Sequence, residues 1–371
     1  MTRYTKPIIL SILTLLGATT AYSQTVPFDS DRWDIQGSES RVEEYRGQKA
    51  LYLKGGYATL KDVEFTNGII EFDIAVTGER GFMGAFWRMQ SSGNFEEFYI
   101  RPHQSGNPDA NQYTPAFFGN TAWQLYYGED YSAPVKYIFN EWMHIKIVVS
   151  GKQAEIYIRD MEKPAVIVHE LKRDAKAGKI GVLNPGNLTH AHFANFRFKL
   201  LENIKLASKS KEPEIPPAGT IMSWQVSSTI DEKSLENKFL LSDTGRQNLT
   251  WTTIGCEKTG IANLARIQGI QPNKNTVFAK VTIRSDNDQI KKIQFGYSDR
   301  IKVYCNNHLI YGGSNDYQSR DYRYLGTIGY FDAVYLPLKK GENELWLAVS
   351  ENFGGWGIMA KIEDMSGIAF K

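Results

Sequence analysis

The feature that most restricts the fold of this chain is a period-2 alternation of apolar and polar residues that recurs along nearly its whole length. In Gly68 to Val76, Ile70, Phe72, Ile74 and Val76 fall on one face, while Glu71 and Asp73 fall on the other. Trp142 to Val149 and Ala154 to Arg159 repeat the habit. Gly151-Lys152-Gln153 between them reads as a hairpin turn in which glycine supplies a positive φ. Arg300 to Cys305, Ala333 to Leu338 and Glu344 to Val349 behave alike. They are separated by Asn306-Asn307, by Gly312-Gly313 and by Lys339-Lys340-Gly341-Glu342-Asn343. Helical periodicity is hardly visible, and Lys172 to Ala177 is the one brief helix candidate. Many short strands with glycine-rich turns predict an all-β chain of sandwich or jelly-roll type.

Composition divides the chain. Ser208 to Gly219, SKSKEPEIPPAG, carries three prolines, mixed charge and almost no apolar residue, which suits an exposed linker. The expected organisation is a signal peptide (1–23), a β-sandwich domain (24–207), the linker (208–219) and a second jelly-roll domain (220–371). The leader is read from Arg3 and Lys6, the apolar run Ile8 to Leu16, and Ala21-Tyr22-Ser23 as a small-x-small cleavage site. Its apolar run is too short for a stable membrane anchor. The formal charge is +2, and losing Arg3 and Lys6 with the leader takes it to about zero, so nothing calls for nucleic acid or for insertion into a membrane. The expected location is periplasmic or extracellular. Such a compartment permits a disulfide between Cys256 and Cys305, while two reduced, buried cysteines fit the sequence equally well.

One stretch, Phe95 to Gly128, stands apart because it crowds acids, amides, an arginine, a histidine and a row of aromatics together. Its start alternates, with Phe98 and Ile100 on one face and Glu97, Tyr99 and Arg101 on a face expected to be wet. After Pro102, a long turn-rich connection is expected through Gly106, Pro108, Pro115 and Gly119. Sugar recognition needs a flat ring against a pyranose and planar polar groups for its hydroxyls. Tyr99, Tyr113, Trp123 and Tyr126 are the stacking candidates; Arg101, Gln104, Asn107, Asp109, Gln112 and Gln124 are the hydroxyl-binding candidates. Glu97 and His103 are the candidate acid and base. Turn capping and packing are the competing roles for these side chains. His190 and His192 share one side of a strand without a third ligand nearby, so a solvated face is expected rather than a metal site.

The succession GIIEFDIAV, NEWMHIKIVVSGKQAEIYIRD, AGKIGVLN and HAHFANFRFKL, with Trp142, Gly151, Tyr157, Gly181, Phe193 and Phe196, resembles the concanavalin A-like lectin and glucanase sandwich, including its laminin-G-type members. The resemblance covers most of Phe28 to Leu200. Glucanases of that superfamily place catalytic carboxylates in a Glu-x-Asp-x-x-Glu pattern. Here Glu71-Phe72-Asp73 matches the first two positions, but Val76 stands at the third, so both acids are expected on the wet face of an ordinary strand. FYIRPHQSGNPDANQYTP also resembles 3-keto-glycoside hydrolase-like sandwich domains, which implies Glu97 as acid, Arg101 as a hydroxyl clamp and His103 as base. SDRIKVYCNNHLIYGG followed by YLPLKKGENELWLAVSENFGGWG resembles the galactose-binding-like jelly roll. In that half Asp316, Tyr317, Arg320, Asp321 and Trp356 are sugar-binding candidates, with ion pairing and packing the favoured alternative. Both resembled folds commonly hold structural calcium, although no EF-hand-like carboxylate loop is present, and no other cofactor is implied.

These readings lead to a secreted carbohydrate-binding protein recognising a polysaccharide or oligosaccharide. The alternatives are a glycan-processing enzyme using the same surface and a protein-binding adhesive module.

Overall fold

The computed structural model describes residues 23–209, 211–212, 214–242 and 248–371. The leader, apart from Ser23, lies outside the described residues. The chain is all-β; among the described residues there is no helix of seven or more residues, and none is long and apolar enough to cross a membrane.

Strands between Gln24 and Leu200 form a single sheet. Its path runs Val166–Val168, Gln153–Ile158, Met143–Ser150, Gly68–Val76, Ala191–Leu200, Gln48–Leu60, Lys179–Asn184, Met83–Ser91, Asn94–Ile100, Asn111–Phe117, Asn120–Thr121. One buried apolar cluster draws Ile156 and Val166 from one end of this path and Phe98 and Tyr113 from the other. A flat sheet cannot bring its two ends together, so the sheet folds over on itself as a sandwich. The alternation in Gly68–Val76 explains the inner face, since Ile70, Phe72 and Ile74 are fully buried there. Gly151, at φ +58, makes the turn between Met143–Ser150 and Gln153–Ile158.

From Ser223 to Phe370 the strands form a seven-stranded and a four-stranded sheet. Val303 and Leu347 of the first share a core with Ile293 and Phe295 of the second, which makes another sandwich. The two cysteines are unbridged. Burial pushes Cys256 up to about 12 and Cys305 to about 11.

Several expectations from the sequence are corrected. Lys172 to Ala177 is not helical, because its backbone donors turn elsewhere: Lys172 N–H donates to the Tyr113 hydroxyl at 2.7 Å and Arg173 N–H to Glu96 Oε1 at 3.2 Å. Gly312-Gly313 lies inside the strand His308–Ser314 rather than between strands, and the turn at Lys339-Lys340 is short enough for strand structure to resume at Gly341. The connection after Pro102 is not continuous loop, since Asn111–Phe117 pairs antiparallel with Asn94–Ile100 and tolerates Pro115 near the sheet's end. His192 is buried, stacked on Tyr45 at 3.7 Å between ring centroids and bonded through Nε2 to Glu43 at 2.9 Å, rather than solvated.

Glu71 and Asp73 also differ from a plain wet face. His144 on the adjacent strand lies opposite Asp73. It is held by Asp73 at 2.6 Å through Nδ1 and by Glu71 at 3.0 Å through Nε2, while Arg197 also pairs with Glu71. These carboxylates raise His144 to about 9, and His144 holds Glu71 down to about 2. A histidine raised on folding contributes stability that is complete below its unfolded value of about 6.5. That stability should fade as pH rises through about 9. His144→Gln should therefore cost roughly 1–2 kcal/mol near pH 6 and little near pH 10, as read by urea denaturation at the two pH values. An equal cost at both would remove the charged clamp.

Candidate functional site

The face of the amino-terminal sheet opposite the main core carries a second, smaller aromatic cluster. Strand register assembles it in two rows. Tyr57, Leu183, Gly84, Tyr99 and Gln112 lie side by side across neighbouring strands, and next to them Thr59, Gly181, Phe86, Glu97 and Thr114. Phe86, Phe95, Tyr99, Ala116 and Leu183 pack there with the half-buried rings of Tyr57 and Phe82. Gly84 is required by the close approach of the adjoining strand, since a Cβ would meet Phe98 O at 2.0 Å.

Glu97 sits in the middle of this floor, only 3% exposed. Thr114 Oγ1 donates to its Oε1 at 2.8 Å. Burial among aromatic rings raises its carboxyl to about 7, against the smaller pull of Thr114 and Arg101. A carboxyl poised there can give or take a proton near neutrality. Burial also raises the Tyr99 phenol.

Beyond Tyr99, the buried Arg101 guanidinium donates to Asp109 Oδ1 at 2.6 Å, to Tyr99 Oη at 3.0 Å and to Gln112 Oε1. Burial raises Asp109 to about 6 despite that pairing. His103 stands at the edge, half-buried, its ring 5.6 Å from Phe82 in an edge-on contact. Its buried Nδ1 has no hydrogen-bond partner. Burial, then the charges of Arg101 and Arg80, lower its basicity and favour the neutral imidazole.

The structure thus brings Glu97, Tyr99, Arg101, His103, Asp109 and Gln112 together, but not as an outward ribbon. Glu97, Tyr99 and Arg101 are at most 6% exposed, so the face expected to be wet is a nearly closed floor. Tyr113 belongs to the main core instead, its hydroxyl bonded to Glu96. Gln104 and Asn107 bond each other at the surface at 2.7 Å. Gln112 Nε2 donates to Trp123 O at 2.8 Å and to Tyr126 O, which fastens the following loop to the strand.

That loop is the seam between the two halves. Gln124 Nε2 donates to Asp299 at 3.2 Å, and Ser298 Oγ donates to Gln124 Oε1 at 2.6 Å. The Tyr126 hydroxyl donates to Glu257. Gln124 and Tyr126 are therefore occupied by the carboxy-terminal sandwich. Trp123, between them in sequence, stays half-buried with its ring 6.3 Å from Phe353.

Among the carboxy-terminal candidates, Asp316 is bound bidentately by Arg300 at 2.8 and 3.0 Å, Arg320 pairs with Asp332 at 3.3 Å and Asp321 with Arg323 at 2.8 Å. Trp356 is fully buried and donates to Val349 O at 3.0 Å. Tyr317 is 58% exposed and makes none of these pairings. Among the described residues no three His, Cys, Asp or Glu side chains are grouped to hold a metal. Tyr57, Phe82 and Thr114 complete the aromatic floor and were not singled out by sequence. Tyr57 and Phe82 lie outside the dense stretch, and only the folded sheet brings them beside Tyr99.

No family model matches the chain, and no curated protein matches it. Solved structures similar to it include a carbohydrate binding module, CBM66, from Bacillus subtilis, with 15% identity, covering 44% of this chain and 93% of that one, at a TM-score of 0.35. A Bacillus subtilis protein described as having a galectin-like fold shows 10% identity over 49% of this chain and 96% of that one, at 0.37. The VIP36 exoplasmic/lumenal domain, in a Ca2+/Man3GlcNAc-bound form, shows 13% identity over 50% and 90%, at 0.34.

Because Glu97 is raised on folding, its burial costs stability progressively as pH rises from about 4.5 through about 7, above which the cost is constant. Glu97→Gln removes that cost. The stability of the variant relative to wild type should grow by roughly 2–3 kcal/mol from pH 5 to pH 8 in denaturant titrations. A pH-independent difference would show that the carboxyl titrates normally.

Proposed function

We propose that this chain is a secreted carbohydrate-binding protein in which residues 24–207 form the binding sandwich, 208–219 a linker and 220–371 an accessory jelly roll. The observation that carries the reading is the aromatic floor around Glu97, edged by His103 against Phe82 and by Asp109 on Arg101, with the Trp123 carbonyl tied to it through Gln112, on the sheet face opposite the main core. Tyr57, Phe82 and Trp123 offer partly exposed rings to the apolar face of a sugar. The imidazole of His103, half-buried beside Phe82 at the edge of the floor, is the hydroxyl-bonding group of the rim. Arg101 and Gln112, tied to one another and to Asp109, hold the floor rigid and leave recognition to the rim. The leader read in the sequence supports export.

A second reading, glycan processing at the same face, is favoured by one observation: Glu97 held near 7 in an apolar surround is the condition of a general acid. The two readings separate in one experiment. Retention of the full chain on immobilised polysaccharides should fall at least tenfold with Trp123→Ala and with Tyr57→Ala, while folding stays intact by circular dichroism. Glu97→Gln should keep retention, and it should abolish release of sugar product if the face is catalytic. Failure of the wild type to bind any glycan, together with capture of one protein insensitive to added sugar, would replace both readings with an adhesive role.

A further inference from the structure

The strand Trp33–Tyr45 pairs with Gln48–Leu60 along one edge, and among the described residues no strand pairs with its other edge. The ends of the sheet's path, Val166–Val168 and Asn120–Thr121, are far shorter. An open edge of this length is a template for another strand unless something blunts it. From Glu39 to Tyr45 it has neither proline nor register shift, and Glu39 to Arg41 is exposed. Charge is the remaining defence, and it alternates in sign along the outer face: Glu39, Arg41, Glu43.

The turn fixes which backbone groups are free. Arg46 at φ +45 and Gly47 at φ +75 make a two-residue type I′ turn, so Tyr45 and Gln48 form a hydrogen-bonded pair. Counting back by twos, Glu43, Arg41 and Glu39 spend their backbone groups on Gln48–Leu60, while Ser40, Val42 and Glu44 turn theirs outward. Side chains follow the same alternation. Val42 packs on the main core, whereas Arg41 lies 3.7 Å over the Tyr52 ring and Glu43 bonds His192 at 2.9 Å on the outer face.

A second copy pairing antiparallel across a two-fold axis must satisfy both patterns. Registers centred on Glu39 or Ser40 run through Ser38, where the ladder is interrupted opposite Gly55 at φ +65. Those centred on Arg41 or Glu43 set like charges face to face, and those beyond Glu43 leave almost no overlap. The register centred on Val42 meets every condition. It sets Ser40 opposite Glu44 and Val42 opposite Val42 as bonded pairs, and Arg41 opposite Glu43 as the closer, non-bonded pair. Within one strand Arg41 Nε already lies 2.6 Å from Glu43 Oε2. Two such pairs side by side form a ring of charges alternating in sign.

We propose that the free edge Glu39–Tyr45 docks a second copy of this chain, antiparallel about Val42, so that the two amino-terminal sheets become continuous. The contact is one short strand from each copy, which corresponds to a dimer of micromolar affinity. If the aromatic floor binds glycan as proposed above, the dimer presents two floors to one polysaccharide.

The test is sedimentation velocity of the full chain over a dilution series, without sugar, so its outcome is independent of glycan binding. The wild type should dimerise with increasing concentration. Ser40→Pro removes an outward N–H and leaves the hairpin's own ladder intact, and it should weaken the dimer at least tenfold. Arg41→Glu and Glu43→Arg should each do the same, and the double swap of the two should restore dimerisation. Circular dichroism and thermal melts check folding, and the charge variants decide the matter if Ser40→Pro does not fold. A wild type that stays monomeric at the highest concentration, a dimer indifferent to these variants, or a double swap no better than the single changes would each overturn the proposal.

Discussion

The buried guanidinium of Arg101 is the constraint from which the surrounding arrangement follows. A charge that is 5% exposed cannot be left without partners, and each partner fixes a different piece of chain. Asp109 fixes the loop that follows the strand, Gln112 the next strand, and Tyr99 the aromatic floor. Gln112 then spends its amide hydrogens on Trp123 O and Tyr126 O. One buried cation thereby sets the path of more than twenty residues. Dispersion among the rings could not do this alone, because it lacks direction.

The same network explains which parts of the site were legible in the sequence. The alternation in Gly68 to Val76 and in Arg300 to Cys305 matches the observed strands residue for residue, since one covered face imposes period 2. The dense stretch was visible by composition, and six of its polar or aromatic residues do come together. Its exposure was not visible. Period 2 separates two faces but cannot say what covers the second one, and here Tyr57 and Phe86 from other strands, with Phe82 just before one, pack around Tyr99. Lys172 to Ala177 misled for a related reason: its local pattern suits a helix, yet Tyr113, Glu96 and Glu257 compete for its donors from far along the chain. Tertiary partners outweigh local preference wherever a buried polar group must be satisfied.

Charge placement divides the amino-terminal sheet into two chemical surfaces. On the outward side of the central strands, Glu71, Asp73, His144 and Arg197 neutralise one another at short range, with 41% of the Arg197 side chain exposed. Such a cluster gains from every partner and offers no unpaired charge to a ligand. On the aromatic floor, burial instead works against ionisation and Glu97 keeps a single side-chain partner. Both surfaces contain a carboxylate on a β-strand, but only the second leaves one poised to change protonation.

Trp123 links the floor to the rest of the molecule. Its neighbour Gln124 is clamped between Ser298 and Asp299, beneath which Glu351 is fully buried. Burial raises both Asp299 and Glu351, with the charge of Asp316 adding to the first and that of Asp299 to the second, so the contact favours a protonated carboxyl over two adjacent charges. A joint of this kind, with few charges and directional bonds, holds its geometry better than exposed ion pairs screened by salt. Since the clamp fixes the backbone on the carboxy-terminal side of Trp123 and Gln112 fixes its carbonyl, the indole is placed by both sandwiches, with Phe353 beside it. The carboxy-terminal half therefore helps to orient the Trp123 indole, and an isolated amino-terminal sandwich would lack the groups that do so.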